Sequence, residues 1–372
     1  MLSPRSATRG IRGTSTSLLL RSRLSLRSPL CFRYGAYLTN EQVADLVSPP
    51  PETVDLVRAW LVHHNIRPSS ISVTRGGSWL TVTDVLVSQA NQLLGASYQL
   101  HWNLKTNDTI IRTVGYALPT VLHPRIRSVA PTTYFPFTQG MQQTPRMRPF
   151  GEAATQAQAA SGDIVTARQV PGITPSVLRW LYDTTEYRPK AIDRNKLGIL
   201  GIEDDYPSQD GLTSFMTRYR PEGADATFTV VQWNGGGYNP GNPSIGSSLG
   251  VQYATAMVYP TPVIFYSIGG HMQWGRDRRL IAGDMYREWL KNLLRESDIS
   301  QTISISYGHS ELDLPPDYAF SLCLLFPELA RRGVSVLVTS SMDGVGPGDC
   351  EDAKGEVEFI PEFPSVCKCG VL

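Results

Sequence analysis

From Pro171 onward the chain alternates short apolar runs with helical segments, and this alternation limits its fold more than any other feature. The strand-like runs are KLGILGIE (196–203), ATFTVVQW (226–233), TPVIFYS (261–267), TISISYG (302–308) and VSVLVTS (334–340). Helical spacing marks PSVLRWLYD (175–183), GLTSFMTRY (211–219), a segment starting at 244, AGDMYREWLKNLL (282–294) and DYAFSLCLLFPELARRG (317–333). Strands that are apolar throughout and separated by helices predict a parallel sheet covered on both faces. The second half of the chain is therefore expected to be α/β.

Residues 242–258, NPSIGSSLGVQYATAMV, read as a helix with a clear start. Asn242 and Ser244 are cap-type residues, and Pro243 suits a first turn because it has no N–H to leave unpaired. Ile245, Leu249 and Val251 or Tyr253 recur at helical spacing and are expected to face a core. Gly246 and Gly250, four apart, fall on one helical face. Each interior glycine costs about 1 kcal/mol relative to alanine, so the pair needs a reason. It is either a face for close packing or a place where two functional side chains are missing.

Between Tyr34 and Phe137 the pattern is α+β. TVDLVRAWLVHHN (53–65) is amphipathic, with Val54, Val57, Trp60 and Leu61 on one side. ISVTR (71–75) and WLTVTD (79–84) flank a Gly76-Gly77 turn. VLVSQANQLLG (85–95) is a second helix, ended by Gly95. YQLHW (98–102) and TIIRTVGYAL (109–118) make another strand pair. Helix, two strands, helix, two strands approximates a ferredoxin-like sandwich. Residues 138–171, rich in Gln, Ala, Thr, Gly and Pro, read as a linker open to proteolytic nicking.

Three stretches carry a resemblance. NPSIGSSLGVQYATAMVYPTPVIFYSIGG (242–270) is similar to the active-site helix and following strand of the sedolisins, the serine-carboxyl peptidases, and resembles their fungal tripeptidyl-peptidase branch most. VSVLVTSSMDGVGPGDC (334–350) resembles their oxyanion segment. YLTNEQVADLVSP, AWLVHHNI, WLTV, IIRT, YALP and APTTYF resemble their activation prodomain. The resemblance implies a subtilisin-like peptidase domain over 172–372, preceded by a prodomain over 34–137. It also implies a Glu general base, an Asp that orients it, and a second Asp at the oxyanion hole. On that register Gly246 stands at the Glu position, Gly250 at the orienting Asp and Met342 at the oxyanion Asp; Asp343 is one place out of step. Losing a single oxyanion donor costs about 100- to 1,000-fold in turnover. The family's Ser-Gly-Thr-Ser nucleophile motif has no match after FIPEFPSVC (359–367), and its calcium site is expected in the part not represented. No cofactor is expected. The implied protein is a peptidase homologue without activity, a monomer whose partners are peptides or an active relative. Two alternatives stay open: a regulatory pseudopeptidase whose prodomain inhibits active relatives, and a decayed or misread gene.

The rest of the chain offers weaker candidates. Ser247 and Ser248 lack a neighbouring base in sequence, and His271 stands beside three arginines in a loop. His309, Glu311 and Asp313 follow a strand end but read as loop residues. Gly235 to Gly241 breaks the dinucleotide-binding spacing at Pro240. Asn107-Asp108-Thr109 is a possible glycosylation acceptor. A formal net charge of +1 favours neither nucleic acid nor an anionic membrane, and no apolar run is long enough to span a bilayer. Of five cysteines, Cys323, Cys350, Cys367 and Cys369 cluster late while Cys31 stands alone. That arrangement suits a disulfide or two in a secreted protein without fixing the pairing, and the Cys367-Lys368-Cys369 spacing is too tight for zinc. Residues 1–33 hold seven Arg and no Asp or Glu. They resemble a transit peptide, and a disordered tail or a misplaced start codon explains them equally; the latter readings are preferred because sedolisins are usually secreted behind an ordinary signal peptide.

Overall fold

The computed structural model describes residues 2–5, 12–20, 37–74, 76–103, 109–135, 172–202, 205–269, 285–311, 314–339 and 361–367. The first half opens with strands β1 (Leu2–Arg5) and β2 (Arg12–Leu20). Helix α1 (Asn40–Val47) is set by a capping box: the Gln42 N–H donates to the Thr39 hydroxyl at 3.2 Å, and the Thr39 N–H donates to Gln42 Oε1 at 2.9 Å. Helix α2 (Pro51–His63) begins on a proline, which suits a position whose N–H has no helical partner. Strands β3 (Ile71–Val73) and β4 (Trp79–Leu86) follow, with Gly77 supplying φ +70° between them. Helix α3 (Val87–Leu94) stops at Gly95, whose φ of +54° is left-handed. Strands β5 (Gln99–Asn103), β6 (Thr109–Arg112) and β7 (Ile126–Ala130) complete this half.

The main sheet here runs β3-β4-β2-β7, antiparallel throughout, while β1, β5 and β6 form a second sheet. Taken in chain order, β2, α2, β3, β4, α3 and β7 are the β-α-β-β-α-β of a ferredoxin-like fold. The expectation of a disordered tail over 1–33 is corrected for residues 2–5 and 12–20, which are strands. Strand β2 lies between β4 and β7, and Leu18 is fully buried among Val57, Leu61, Leu80 and Val129. A strand bonded on both edges needs few apolar residues of its own, so an arginine- and serine-rich composition concealed it.

The second half contains α4 (Pro175–Leu181), β8 (Leu197–Ile202), α5 (Gln209–Tyr219), β9 (Phe228–Trp233), α6 (Ile245–Val258) and β10 (Val263–Ile268). Then come α7 (Met285–Arg295), β11 (Thr302–Ile305), β12 (His309–Ser310), α8 (Pro316–Cys323), α9 (Phe326–Arg331), β13 (Ser335–Val338) and β14 (Glu362–Phe363). Five strands form the expected parallel sheet in the order β13-β11-β8-β10-β9. Helices α5 and α6 cover one face, over Leu197, Ile199, Val263 and Phe265. Helices α7, α8 and α9 cover the other, over Leu200, Ile202, Tyr266 and Ile268. The segment 317–333, expected as one helix, breaks between α8 and α9. Pro327 has no N–H to continue the ladder, so it restarts the helix rather than extending it.

Handedness follows from this order. The β8–α5–β9 connection steps two strands one way, and β9–α6–β10 steps one strand back, yet α5 and α6 share a face. These two crossovers therefore have opposite hands. The connections through α7 and through α8–α9 both step back on the other face, which gives them the hand of the α5 crossover. Since nearly all such connections are right-handed, α6 sits in a left-handed exception.

Helix α6 is also rotated from its expected setting. Ile245 and Leu249 are 60% and 44% exposed, and the buried side is Ser247, Val251, Thr255 and Ala256. Small side chains let α6 lie close over β8 and against α5. A Cβ at Gly250 would meet only Ile199 Cγ2, at an ordinary 3.7 Å.

A disulfide joins Cys323 to Cys367 and so ties α8 to the β14 segment; Cys31, Cys350 and Cys369 lie outside the described residues. The 138–171 linker and Asn107 also lie outside them. Among the described residues no helix is long and apolar enough to cross a membrane. The two halves meet along α7, α8 and α9. Trp79 of β4 is 3% exposed within the second-half core, with the Lys291 ammonium 6.0 Å from its ring centroid. Tyr134 stacks on Tyr318 at 4.4 Å, and the Leu38 N–H donates to the Arg331 carbonyl at 2.9 Å.

Two outcomes test this packing. Leu18→Ala is expected to cost about 2–5 kcal/mol, and amide exchange should rise first in β4 and β7; unchanged exchange there would remove β2 from the sheet. Gly250→Ala is expected to stabilise the chain by about 0.5–1 kcal/mol in denaturant unfolding, because it adds helix propensity without a clash. Destabilisation would contradict the open space beside Gly250.

Candidate functional site

In open parallel sheets, sites form where the carboxyl ends of the strands open outward. Here β8, β9, β10 and β11 deliver the 205–208, 234–244, Gly269 and 306–308 segments to one edge. The turn after β9 is shaped by backbone crowding. Asn234 and Gly235 take φ of +51° and +77°, and the Asn234 amide donates to the Gly269 carbonyl at 2.7 Å. A Cβ at Gly236 would collide with the Ser267 carbonyl oxygen, so only glycine fits where this turn crosses β10. The Ser267 hydroxyl then donates to the Gly237 carbonyl at 2.6 Å.

This loop delivers the chain to the start of α6. The Ser244 N–H donates to the Tyr206 carbonyl at 2.8 Å, and the Ser244 hydroxyl caps the helix by accepting from the Ser247 N–H at 3.1 Å. Beneath the first turn lies a buried polar group. The Tyr307 hydroxyl donates to Asp205 Oδ2 at 2.8 Å, with Ser247 beside it. Burial, then the neighbouring Asp205 carboxylate, pushes the Tyr307 phenol above its ordinary pKa. It remains a proton donor and cannot act as a base near neutral or acid pH.

Gly246 and Gly250 both lie on α6, half-buried and four residues apart, as expected. Ser247 is buried on the inward side of the helix and Ser248 is half-buried. Glu311 is exposed, and its N–H donates to the Pro361 carbonyl at 3.0 Å. His309 pairs with Phe363 through its backbone. Met342, Asp343, His271 and Asp313 lie outside the described residues. Asp205, Tyr206, Ser267 and Tyr307 were not singled out from the sequence. Their signal was positional, since each lies at or just after the carboxyl end of a buried strand. Among the described residues, no group of three His, Cys, Asp or Glu side chains is placed to hold a metal ion. Chemically the start of α6 is fixed by the Ser244 N–H on the Tyr206 carbonyl and by the Ser244 hydroxyl cap, and glycine at 246 and 250 contributes no titratable group.

Comparison with known proteins agrees with the resemblance. The pro-kumamolisin activation domain matches residues 10–135, a span that includes β2. Tripeptidyl-peptidase SED4 of Arthroderma otae is 29% identical over 353 residues, covering 92% of this chain and 57% of the relative. Tripeptidyl-peptidase SED2 of the same organism is 28% identical over 348 residues, covering 90% and 57%. The probable tripeptidyl-peptidase SED3 of Arthroderma benhamiae is 30% identical over 357 residues, covering 92% and 58%. The chain thus spans a little over half the length of these relatives. A solved structure of Pseudomonas sedolisin, a serine-carboxyl proteinase, gives a TM-score of 0.36 at 16% identity over 53% of this chain and 52% of that one, a likeness too low to add weight. The activation-domain match at its amino end and the similarity to fungal tripeptidyl-peptidases along nine-tenths of its length support the sedolisin resemblance.

Proposed function

We propose that this chain is a sedolisin-type peptidase homologue of the tripeptidyl-peptidase class that does not cleave peptides. One observation carries this reading: α6 forms, is capped and packs in place, yet presents hydrogen atoms at 246 and 250, where the family resemblance calls for carboxylates. A carboxylate base ionises above a pKa near 4, which lets such enzymes work in acid where imidazole is protonated. Glycine can take no proton at any pH. Met342 in place of the oxyanion Asp, read from the sequence, would remove a further stabilising group. The proposed layout is a prodomain over 34–137 extended at its amino end by β2, a linker over 138–171, and a partial peptidase domain over 172–372. The Cys323–Cys367 disulfide and the fungal relatives support an extracellular setting. An inhibitory role toward active relatives gains less support, because the prodomain face that would engage another protein is packed on α7, α8 and α9 of its own chain.

The test is direct. The purified chain, assayed at pH 4 with a fluorogenic substrate capped by an Ala-Ala-Phe tripeptide, is expected to give no turnover. Hydrolysis that a peptidyl aldehyde blocks would overturn the proposal. The double variant Gly246→Glu/Gly250→Asp is expected to remain inactive, since Met342 is unchanged. Turnover gained by that variant alone would show that the two glycines are the whole defect.

A further inference from the structure

Large apolar side chains stand in solvent at one short turn. Trp180 and Leu181 end α4, Tyr182 follows, and Tyr187 lies five residues further on. Trp180, Tyr182 and Tyr187 are 68%, 69% and 63% exposed, and Leu181 is exposed with them. The turn is held rather than loose. Arg179, buried on the inner side of α4, donates through Nη2 to the Thr184, Thr185 and Tyr187 carbonyls, and the Thr184 N–H donates to the Arg179 carbonyl at 2.7 Å. The apolar surface continues onto α6. Ile245, Leu249 and Tyr253, four apart, share one face of that helix. The Tyr253 hydroxyl donates to the Ile173 carbonyl at 2.6 Å, which sets exposed Ile173 beside the stripe formed by exposed Leu249 and Ile245.

Area and charge together identify what fits this surface. A buried aromatic side chain covers about 150–250 Å², so the three rings at these exposures offer about 400 Å². Leu181, Ile173, Ile245 and Leu249 enlarge the patch beyond the roughly 300–600 Å² usual for the largest patch on a monomer. They take it toward the roughly 800 Å² that each partner contributes to a stable interface. Trp and Tyr are also the residue types that anchor such interfaces. The exposed charged residues of 173–195 are Asp183, Glu186 and Asp193 against Arg188, Lys190 and Arg194, and α6 has no charged residue. Equal numbers of each sign sum to zero, so a strongly acidic or basic partner, or an anionic membrane, gains nothing here. A second copy of the same surface meets no net repulsion, and across a two-fold axis each acidic group can face a basic one.

We propose that this face joins two copies of the chain in a two-fold dimer, with Trp180, Tyr182 and Tyr187 at its centre, in place of the monomer that the resemblance implies. The assignment is independent of whether the chain cleaves peptides. The full chain is followed by sedimentation velocity across micromolar concentrations, and a concentration-dependent shift to twice the chain mass is expected. Trp180→Glu is expected to raise the dimer dissociation constant by about tenfold or more. Its far-UV circular dichroism should not change, since the ring it replaces is mostly in solvent. Two further variants separate specific pairing from general stickiness. Glu186→Lys/Asp193→Lys and Lys190→Glu/Arg194→Glu each reverse two exposed charges, which takes the face from zero to +4 and to −4. Each variant alone is expected to stay monomeric, and an equimolar mixture to form the heterodimer. A monomer at every concentration, aggregates without a defined mass, or a dimer undiminished in folded Trp180→Glu each overturns the assignment. So does either charge variant dimerising alone, or a mixture of the two that fails to pair. A monomer that co-sediments with neutral phosphatidylcholine vesicles also overturns it, and gives the face to a lipid surface instead.

Discussion

The second half depends on one constraint, that strand β8 is buried on both faces and on both edges. All six of its residues are buried. Its two glycines are the places where neighbours need room: a Cβ at Gly198 would lie 2.7 Å from the Tyr266 ring, and one at Gly201 would run into Phe265. Burial of this kind sends α5 and α6 to one side and α7, α8 and α9 to the other, since each face must be shielded from water. It also sends the chain out at Ile202, directly below the start of α6. Asp205 and Tyr206 reach the site because β8 ends there.

The order of elements in the second half was readable from apolar runs alone, and the helix start at Ser244 from its cap. Side-chain direction was less readable. The spacing of Ile245 and Leu249 suggested an inward stripe, but the helix turns its small residues inward because close approach to β8 excludes larger ones. Strand β2 escaped notice for a related reason. Its hydrogen-bond partners come from β4 and β7, far along the chain, and a mostly polar strand with Leu18 in the core leaves little compositional trace. The Asp205–Tyr307 contact joins residues a hundred positions apart, which local pattern cannot show.

The proposed loss of activity turns on helix α6, and what this helix retains is as informative as what it lacks. Its cap, its contact with Tyr206 and its seat over β8 all belong to a positioning device. On the register that the resemblance implies, the groups such a device would position are replaced at 246 and 250 by the smallest side chain available. On the proposed reading scaffold and chemistry have parted: packing keeps a helix for a reaction that glycine cannot perform.

The reversed hand of the β9–α6–β10 connection has a spatial consequence. Wound the usual way, α6 would fall on the same side of the sheet as α7. Wound as it is, the chain has two independent frontages, one where its halves are joined and one where the strands open. The joint between the halves therefore lies on the α7–α9 side of the sheet, and α6 covers the other side.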